Sequence, residues 1–326
     1  MSTPCLRGIG SPVLTLPPVF PKLPKAILIT TYDRDMAPST KILDHIVHLT
    51  PPGSVNEVSD QFVKLGFKVL PGGTHAGGLT ANALVVLQDG TYLELIAFTH
   101  PATHYPPHSP KRAERDAHPW AGKPPGWIDY AFLGTGNLSS SIAKIINTRA
   151  EAEGSGISYA PEVQGGRTRP DGKVLEWLIS APTEEAGRGV VPFYCGDITP
   201  REWRVPLEPL ANAEHANSAS GVAFVRIYAE KTALAGVSRQ LTSVIGASPT
   251  METATEVAWT LEHQAKSGPS PKLVLSATRT NSAVGTKEGE EATLGRGIFE
   301  VGFWVDKERE EGSVTTPYGK ISWVHR

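Results

Sequence analysis

Cysteine is scarce. Cys5 and Cys195 are the only two among 326 residues, and one lies in a proline-laden start, so a structural disulfide is not expected and a reducing, cytoplasmic setting is. Without C-x-x-C spacing the pair does not make a zinc site. Long hydrophobic runs are missing as well: none approaches the roughly 18 residues of a membrane span, although 40% of the residues are hydrophobic, an ordinary globular value. No excess of either charge is present. A net charge of −2 argues against nucleic acid or an anionic membrane as partner. Acidic residues are absent before Asp33, and Arg7 is the one arginine before it. A basic start, apolar core and small-residue cleavage site are lacking, so a secretory signal fits poorly. Residues 1–40, with Leu16-Pro17-Pro18 and Pro21-Lys22-Leu23-Pro24, read as a disordered or loosely ordered tail.

From Lys41 onwards the chain is patterned. Leu43 to Val47 and Tyr92 to Phe98 have the branched and aromatic content of strands. Alternation puts Tyr92, Glu94 and Ile96 on one face, and His45 with Val47 on one face of the other strand. Ser54-Val55-Asn56-Glu57 has capping-box spacing, Val55, Val58, Phe62 and Leu65 lie at helical steps, and Gly66 closes the helix. Phe67 to Leu70 reads as a short strand, Pro71 to Gly78 as a glycine-rich loop, and Asn82 to Leu87 as a strand. The order is β-α-β-β-β. Residues 100–125 hold His100, His104, His108 and His118, irregularly spaced and without acidic or cysteine neighbours at motif distances, and read as a polar connecting loop.

The pattern then returns about 85 residues on. Trp127 to Phe132 parallels Ile42 to Val47, a helix is expected near Ser139 to Glu153, and Gly165-Gly166-Arg167-Thr168 echoes Gly72-Gly73-Thr74-His75. A third copy starts at Gly221, has a helix from about Thr232 to Ile245, and continues through strands at Val257, Leu273, Ile298 and Lys320; Thr280 to Leu294 reads as a mobile loop. The expected class is α+β, with a domain of two βαβββ modules over 41–206 (41–100 and 126–198) and a third, partly degenerate unit over 207–326.

The ordered set Leu43-Asp44-His45-Ile46-Val47, Leu65-Gly66-Phe67, Pro71-Gly72-Gly73-Thr74-His75, Asn82-Ala83-Leu84, Gly90-Thr91-Tyr92-Leu93-Glu94, Gly166 to Gly172 and Val191-Pro192-Phe193 resembles the glyoxalase-like branch of the vicinal oxygen chelate superfamily. The resemblance implies paired modules whose sheets wrap a cleft. It also implies a divalent metal, Fe, Ni, Zn or Mn, held by a histidine on the first strand and a glutamate on the last strand of each participating module. The first module keeps His45 and Glu94 at those positions. The second has Tyr130 and Phe193, the latter trailed by Tyr194 and Cys195. Help from His75, Asp129, His215 or solvent is then needed for a metal, and a metal-free cleft stays open.

Each candidate has a chemical role and a plain structural alternative. His45 suits a metal or proton transfer, or is a hydrogen-bonded core histidine. Glu94, in an apolar strand, is costly to bury unless paired, which favours the cleft over an outward position. His75 and Asn82 suit contacts to substrate oxygens, or a hairpin with a capping asparagine. Arg167, with Arg169 beside it, offers a fork for a carboxylate or enolate. Tyr130 and Trp177 supply aromatic lining or packing. Asp171 belongs to a Pro-Asp-Gly turn, and Trp203, Arg201 and Arg204 anchor a connector. The expected function is a glyoxalase-like isomerase, lyase or cyclase acting on an oxygenated small molecule through an enolate-like intermediate, with Glu94, His45 and Arg167 catalytic. The alternatives are a non-catalytic small-molecule binder and a metal-dependent ring-cleaving dioxygenase. A homo-oligomer is left open.

Overall fold

The structure, a computed structural model, describes Met1 and residues 38–183, 187–265, 267–278, 296–316 and 319–326. Most of the expected tail and the expected loop Thr280 to Leu294 lie outside the described residues. Pro38–Arg326 is one compact unit of mixed α+β structure.

Its first part runs β1 (Leu43–Thr50), α1 (Val55–Lys64), β2 (Leu70–His75), β3 (Thr80–Val86), β4 (Tyr92–Phe98), α2 (Pro110–Asp116), β5 (Gly126–Leu133), α3 (Ile142–Glu153), β6 (Val163–Thr168), β7 (Val174–Ser180) and β8 (Phe193–Asp197). The eight strands close into a barrel in the order β1-β4-β3-β2-β6-β7-β8-β5. The two βαβββ units meet at two antiparallel seams. At one, His45 pairs with Ala131; at the other, His75 pairs with Arg167.

The second part continues with α4 (Arg201–Arg204), β9 (Gly221–Tyr228), α5 (Leu234–Ile245), β10 (Met251–Glu252), β11 (Glu256–Thr260), β12 (Lys272–Ser276), β13 (Gly297–Val305), β14 (Gly312–Thr316) and β15 (Gly319–His325). Its sheet runs β10-β11-β12-β9-β13-β15-β14. The run β9-β12-β11-β10 repeats β1-β4-β3-β2, parallel first pair included. Beyond β9, β13 pairs antiparallel to it and parallel to β15, as β5 does to β1 and β8. One helix and one strand fewer after β13 leave this second sheet open where the first closes.

One core joins the two parts. Ile46, Phe132 and Tyr130 from the barrel's outer face pack with Phe62 of α1, Ile146 of α3, and Val225, Trp259 and Phe303 of the open sheet. A separate cluster fills the barrel interior, including Val47, Ile96, Trp177, Phe193 and Cys195. Strand β1 is therefore buried along all eight residues. Such a strand is expected to be apolar throughout, yet it carries Asp44, His45 and His48, and each needs a partner.

The structure differs from the sequence reading in several places. The segment from Pro71 to His75 is strand, not loop. Glycine is needed there: a Cβ on Gly72 would lie 2.0 Å from Asn82 Oδ1, and one on Gly73 would lie 2.3 Å from the Thr168 carbonyl oxygen across the seam. Ser54 does not cap α1 with its side chain; its hydroxyl donates to the Pro51 carbonyl at 2.7 Å. The expected helix from Ser139 starts at Ile142, where the Ser141 hydroxyl accepts from the Lys144 amide at 3.1 Å. Both α3 and α5 end on left-handed glycines, Gly154 and Gly246. Residues 100–125 contain α2 and press on the barrel: the Arg115 guanidinium lies 3.2 Å from the Phe98 ring centroid, and Trp120 is buried. Among the described residues no helix is long and apolar enough to cross a membrane.

Candidate active site

The barrel encloses a cavity of about 300 Å³. His45, His75, Asn82, Glu94 and Arg167 form its polar part; Leu79, Trp120, Trp177, Ile179 and Phe193 form its apolar part. Strand alternation explains the grouping, since His45, Glu94, Asn82 and Trp177 all occupy inward positions.

Glu94 sits at the centre. The Asn82 amide donates to its Oε1 at 2.6 Å. His75 Nε2 lies 3.5 Å from Oε1, and His45 Nε2 lies 3.8 Å from Oε2. His75 Nδ1 meets the Thr80 hydroxyl at 2.9 Å. Burial pulls the His75 pKa down, against the opposing pull of the Glu94 charge, so this ring is neutral at pH 7.

His45 is held from behind. Its Nδ1 is 2.7 Å from Asp44 Oδ2, and its ring stacks on Tyr92 at 4.7 Å. Asp44 has no solvent exposure. Burial alone would raise its pKa, but the Arg201 and Arg204 guanidinia and the His45 hydrogen bond outweigh burial and hold it well below the usual carboxylate range. Arg201 Nη1 donates to Asp44 Oδ1 at 2.6 Å and Arg204 Nη1 to Oδ2 at 2.8 Å. Arg204 also donates through Nε and Nη2 to Asp197 at 2.5 and 2.8 Å. An ionised carboxylate only accepts, so His45 Nδ1 carries the proton. The other ring nitrogen, Nε2, is the one turned to Glu94. The two groups face each other across 3.8 Å, a spacing that lets both reach one substrate.

Several expected site residues lie elsewhere. Tyr130 faces the outer core and donates from its hydroxyl to the Val190 carbonyl at 3.0 Å. Arg169 donates to the Trp203 carbonyl at 3.0 Å and pairs with Asp171 at 3.0 Å, away from the cavity. His215 accepts from the Lys68 amide and meets the Val86 carbonyl, each at 2.9 Å, a structural role. Asp129 is buried against Arg188 at 2.8 Å and accepts from the Trp120 indole at 3.0 Å. Sequence reasoning missed Asp44, Arg204, Trp120 and His118, of which the last three line the cavity. Asp44 stands next to His45 in the sequence, which is the only signal that pointed to it. The connector arginines had none.

The second module's counterparts also change. Parallel ladders pair His45 with Tyr92, and Ala131 with Phe193. On that register Ala131 corresponds to His45, Phe193 to Tyr92, and Cys195 to Glu94. The donors for a divalent ion are thus His45 and Glu94 with His75 beside them, opposite an alanine and a thiol that burial keeps protonated, with the Arg167 cation on the same cavity. Among the described residues no three His, Cys, Asp or Glu side chains form a metal-holding group. The donor set does not fit the metal that the resemblance implies.

Curated protein sequences give no match. Among solved structures, a hypothetical protein from Staphylococcus aureus superposes with a TM-score of 0.59 at 11% identity, over 87% of this chain and 99% of that one. The Mn(II)-bound glyoxalase from Novosphingobium aromaticivorans gives 0.45 at 8%, over 88% and 82%. The 2,2',3-trihydroxybiphenyl 1,2-dioxygenase from Sphingomonas wittichii strain RW1 gives 0.46 at 11%, over 88% and 90%. The family model described as a glyoxalase-like domain matches residues 43–245, so the chain belongs to the glyoxalase-like domain family.

Proposed function

We propose that the protein is an acid–base enzyme that moves a proton on a small oxygenated organic molecule, through an enolate-like intermediate. The observation that carries this is the facing pair, His45 Nε2 and Glu94 Oε2, 3.8 Å apart at a cavity wall. Glu94 takes the proton from a carbon beside a carbonyl, and the Asn82 amide fixes its carboxylate. His45, oriented by Asp44, exchanges a proton at the neighbouring oxygen or carbon. The cycle closes when the proton returns to the second site, so the net change is an isomerisation, or a lyase or cyclase step where a leaving group or nucleophile is present. His75 and Arg167 face the substrate's oxygens, in a cavity where apolar walls strengthen their pull on developing charge.

A non-catalytic binder is the second reading, favoured by Ala131 and Cys195 at the counterpart positions. The two separate in D2O. Exchange of α-protons in a panel of ketones and 2-oxo acids, followed by proton NMR, is expected with the wild type and reduced on the order of 10²-fold or more in Glu94→Gln. Unchanged exchange in a folded Glu94→Gln removes Glu94 from the mechanism; no exchange on any member favours the binder.

A further inference from the structure

Arg167 is 3% exposed and lines the cavity. Among the described residues its guanidinium makes no hydrogen bond or ion pair. Two other arginines of the barrel wall are served differently: the buried Arg204 holds Asp44 and Asp197, and the half-buried Arg188 holds Asp129. The Glu94 charge acts on it through space, but the Glu94 oxygens are already engaged by Asn82, His75 and His45. A permanent cation buried without a hydrogen-bonded counter-charge is costly. An enolate, present only during turnover, leaves that cost in place in the resting and substrate-bound states. A ligand that carries its own negative charge removes it on binding.

The surroundings narrow the class. One guanidinium fork with a carboxylate nearby suits a planar monoanion better than a phosphate dianion. The rest of the wall is Leu79, Trp177, Ile179 and Phe193, which suits a carbon body rather than a sugar. Trp177 is laid across β6 opposite Gly165, where a Cβ would lie 2.4 Å from its Nε1, so this flat aromatic wall is built into the barrel. Across the seam Arg167 pairs with His75, the neighbour of Glu94.

We infer that the cavity binds a small monocarboxylate with an apolar or aromatic body, its carboxylate on Arg167 and its body against Trp177, Ile179 and Phe193. Arg167 is then a substrate-binding residue in the ground state. The inference rests on the acid–base reading for which carbon reacts, but not for binding.

Titration calorimetry with 3-phenylpropanoate and its neutral amide tests it, using the wild type, Arg167→Gln and Arg167→Lys, each checked for folding by thermal melting. The acid is expected to bind about tenfold or more tightly than the amide. Arg167→Gln is expected to erase that preference and Arg167→Lys to keep part of it. Equal binding of acid and amide to the wild type, binding of neither, or an undiminished preference in folded Arg167→Gln overturns the inference. Carboxylate preference without α-proton exchange defeats the proposed reaction and leaves this site standing. Exchange on neutral ketones with no carboxylate preference does the reverse.

Discussion

Asp44 Oδ2 lies 2.7 Å from His45 Nδ1, and the same carboxylate accepts from Arg201 and Arg204. The strand that brings the histidine to the cavity thus also carries the group that sets its tautomer. Replacement Asp44→Asn keeps the shape but removes the obligatory acceptor. The amide can present its NH2 to Nδ1 and turn the ring's proton towards Nε2. Proton transfer is expected to fall on the order of 10²-fold. Folding stability should drop by about 3 kcal/mol, because Asp197 is then the one carboxylate that Arg204 and Arg201 share. Nitrogen-15 NMR of the His45 ring separates the two effects: the wild type should show a proton on Nδ1 and the variant should not. An unchanged ring spectrum in the variant rules out Asp44 as the positioning residue.

The barrel seam makes a second, purely structural prediction. Gly73 approaches the Thr168 carbonyl so closely that a methyl group would sit 2.3 Å from its oxygen. Backbone on both sides cannot yield without parting β2 from β6, a ladder only two pairs long. Gly73→Ala is expected to cost about 2 kcal/mol or more in urea unfolding. It should also loosen the cavity, because the adjacent pair is His75–Arg167. Wild-type stability in this variant is incompatible with the seam as described.

The same seam shows what was legible in the sequence. His45 and Glu94 stood out as polar residues in apolar strands, and period-two alternation aimed both inward. Helices α3 and α5 were marked by their apolar spacing and terminal glycines. Strands β2 and β6 were not legible as strands: Gly72, Gly73, Gly165 and Gly166 are turn residues by composition, and only the approach of a second backbone explains them. Tyr130 was matched to His45 by a sequence echo of about 85 residues. Ladder pairing sets Ala131 there instead, and a one-residue slip turns a strand residue to the other face. Register shifts in the β1–β5 pairing are what a straight sequence match cannot see. Arg201 and Arg204 reach Asp44 from 157 and 160 residues away, with no local pattern to mark them.

Cys195 supplies a test of the metal question that does not depend on activity. As the counterpart of Glu94 it would be a natural metal ligand, but burial holds its thiol well above the ordinary value. In a Cys5→Ser background the native protein is expected to be unreactive towards Ellman's reagent at pH 8 and to show one thiol in denaturant. Soaking with Fe, Ni, Zn or Mn, with elemental analysis afterwards, should leave well under one equivalent, unchanged in a His45→Ala, Glu94→Ala double variant. Stoichiometric metal that disappears in the double variant would overturn the misfit and bring Lewis-acid chemistry back.

Buried histidines set the acid limit of the fold. Burial lowers the His48 pKa from 6.5 to about 3, its ring lying edge-on to Phe62 and Trp127. Burial, with the Arg115 and Arg188 charges, lowers His118 to about 4. Both groups take up protons near pH 6.5 in the unfolded chain and much lower in the folded one. Between those values the unfolded state binds more protons, so the stability they contribute is whole above about pH 6.5 and is lost as the pH falls through that window. For the fully buried His48 the slope approaches about 1.4 kcal/mol per pH unit. Urea unfolding at stepped pH from about 7.5 to about 4.5 should show the midpoint falling steadily. Over the same range the His48 ring carbon-bound proton should hold a constant NMR shift. If that resonance titrates near 6.5 in the folded protein, the ring is reached by water, and the loss of stability on acidification has another source.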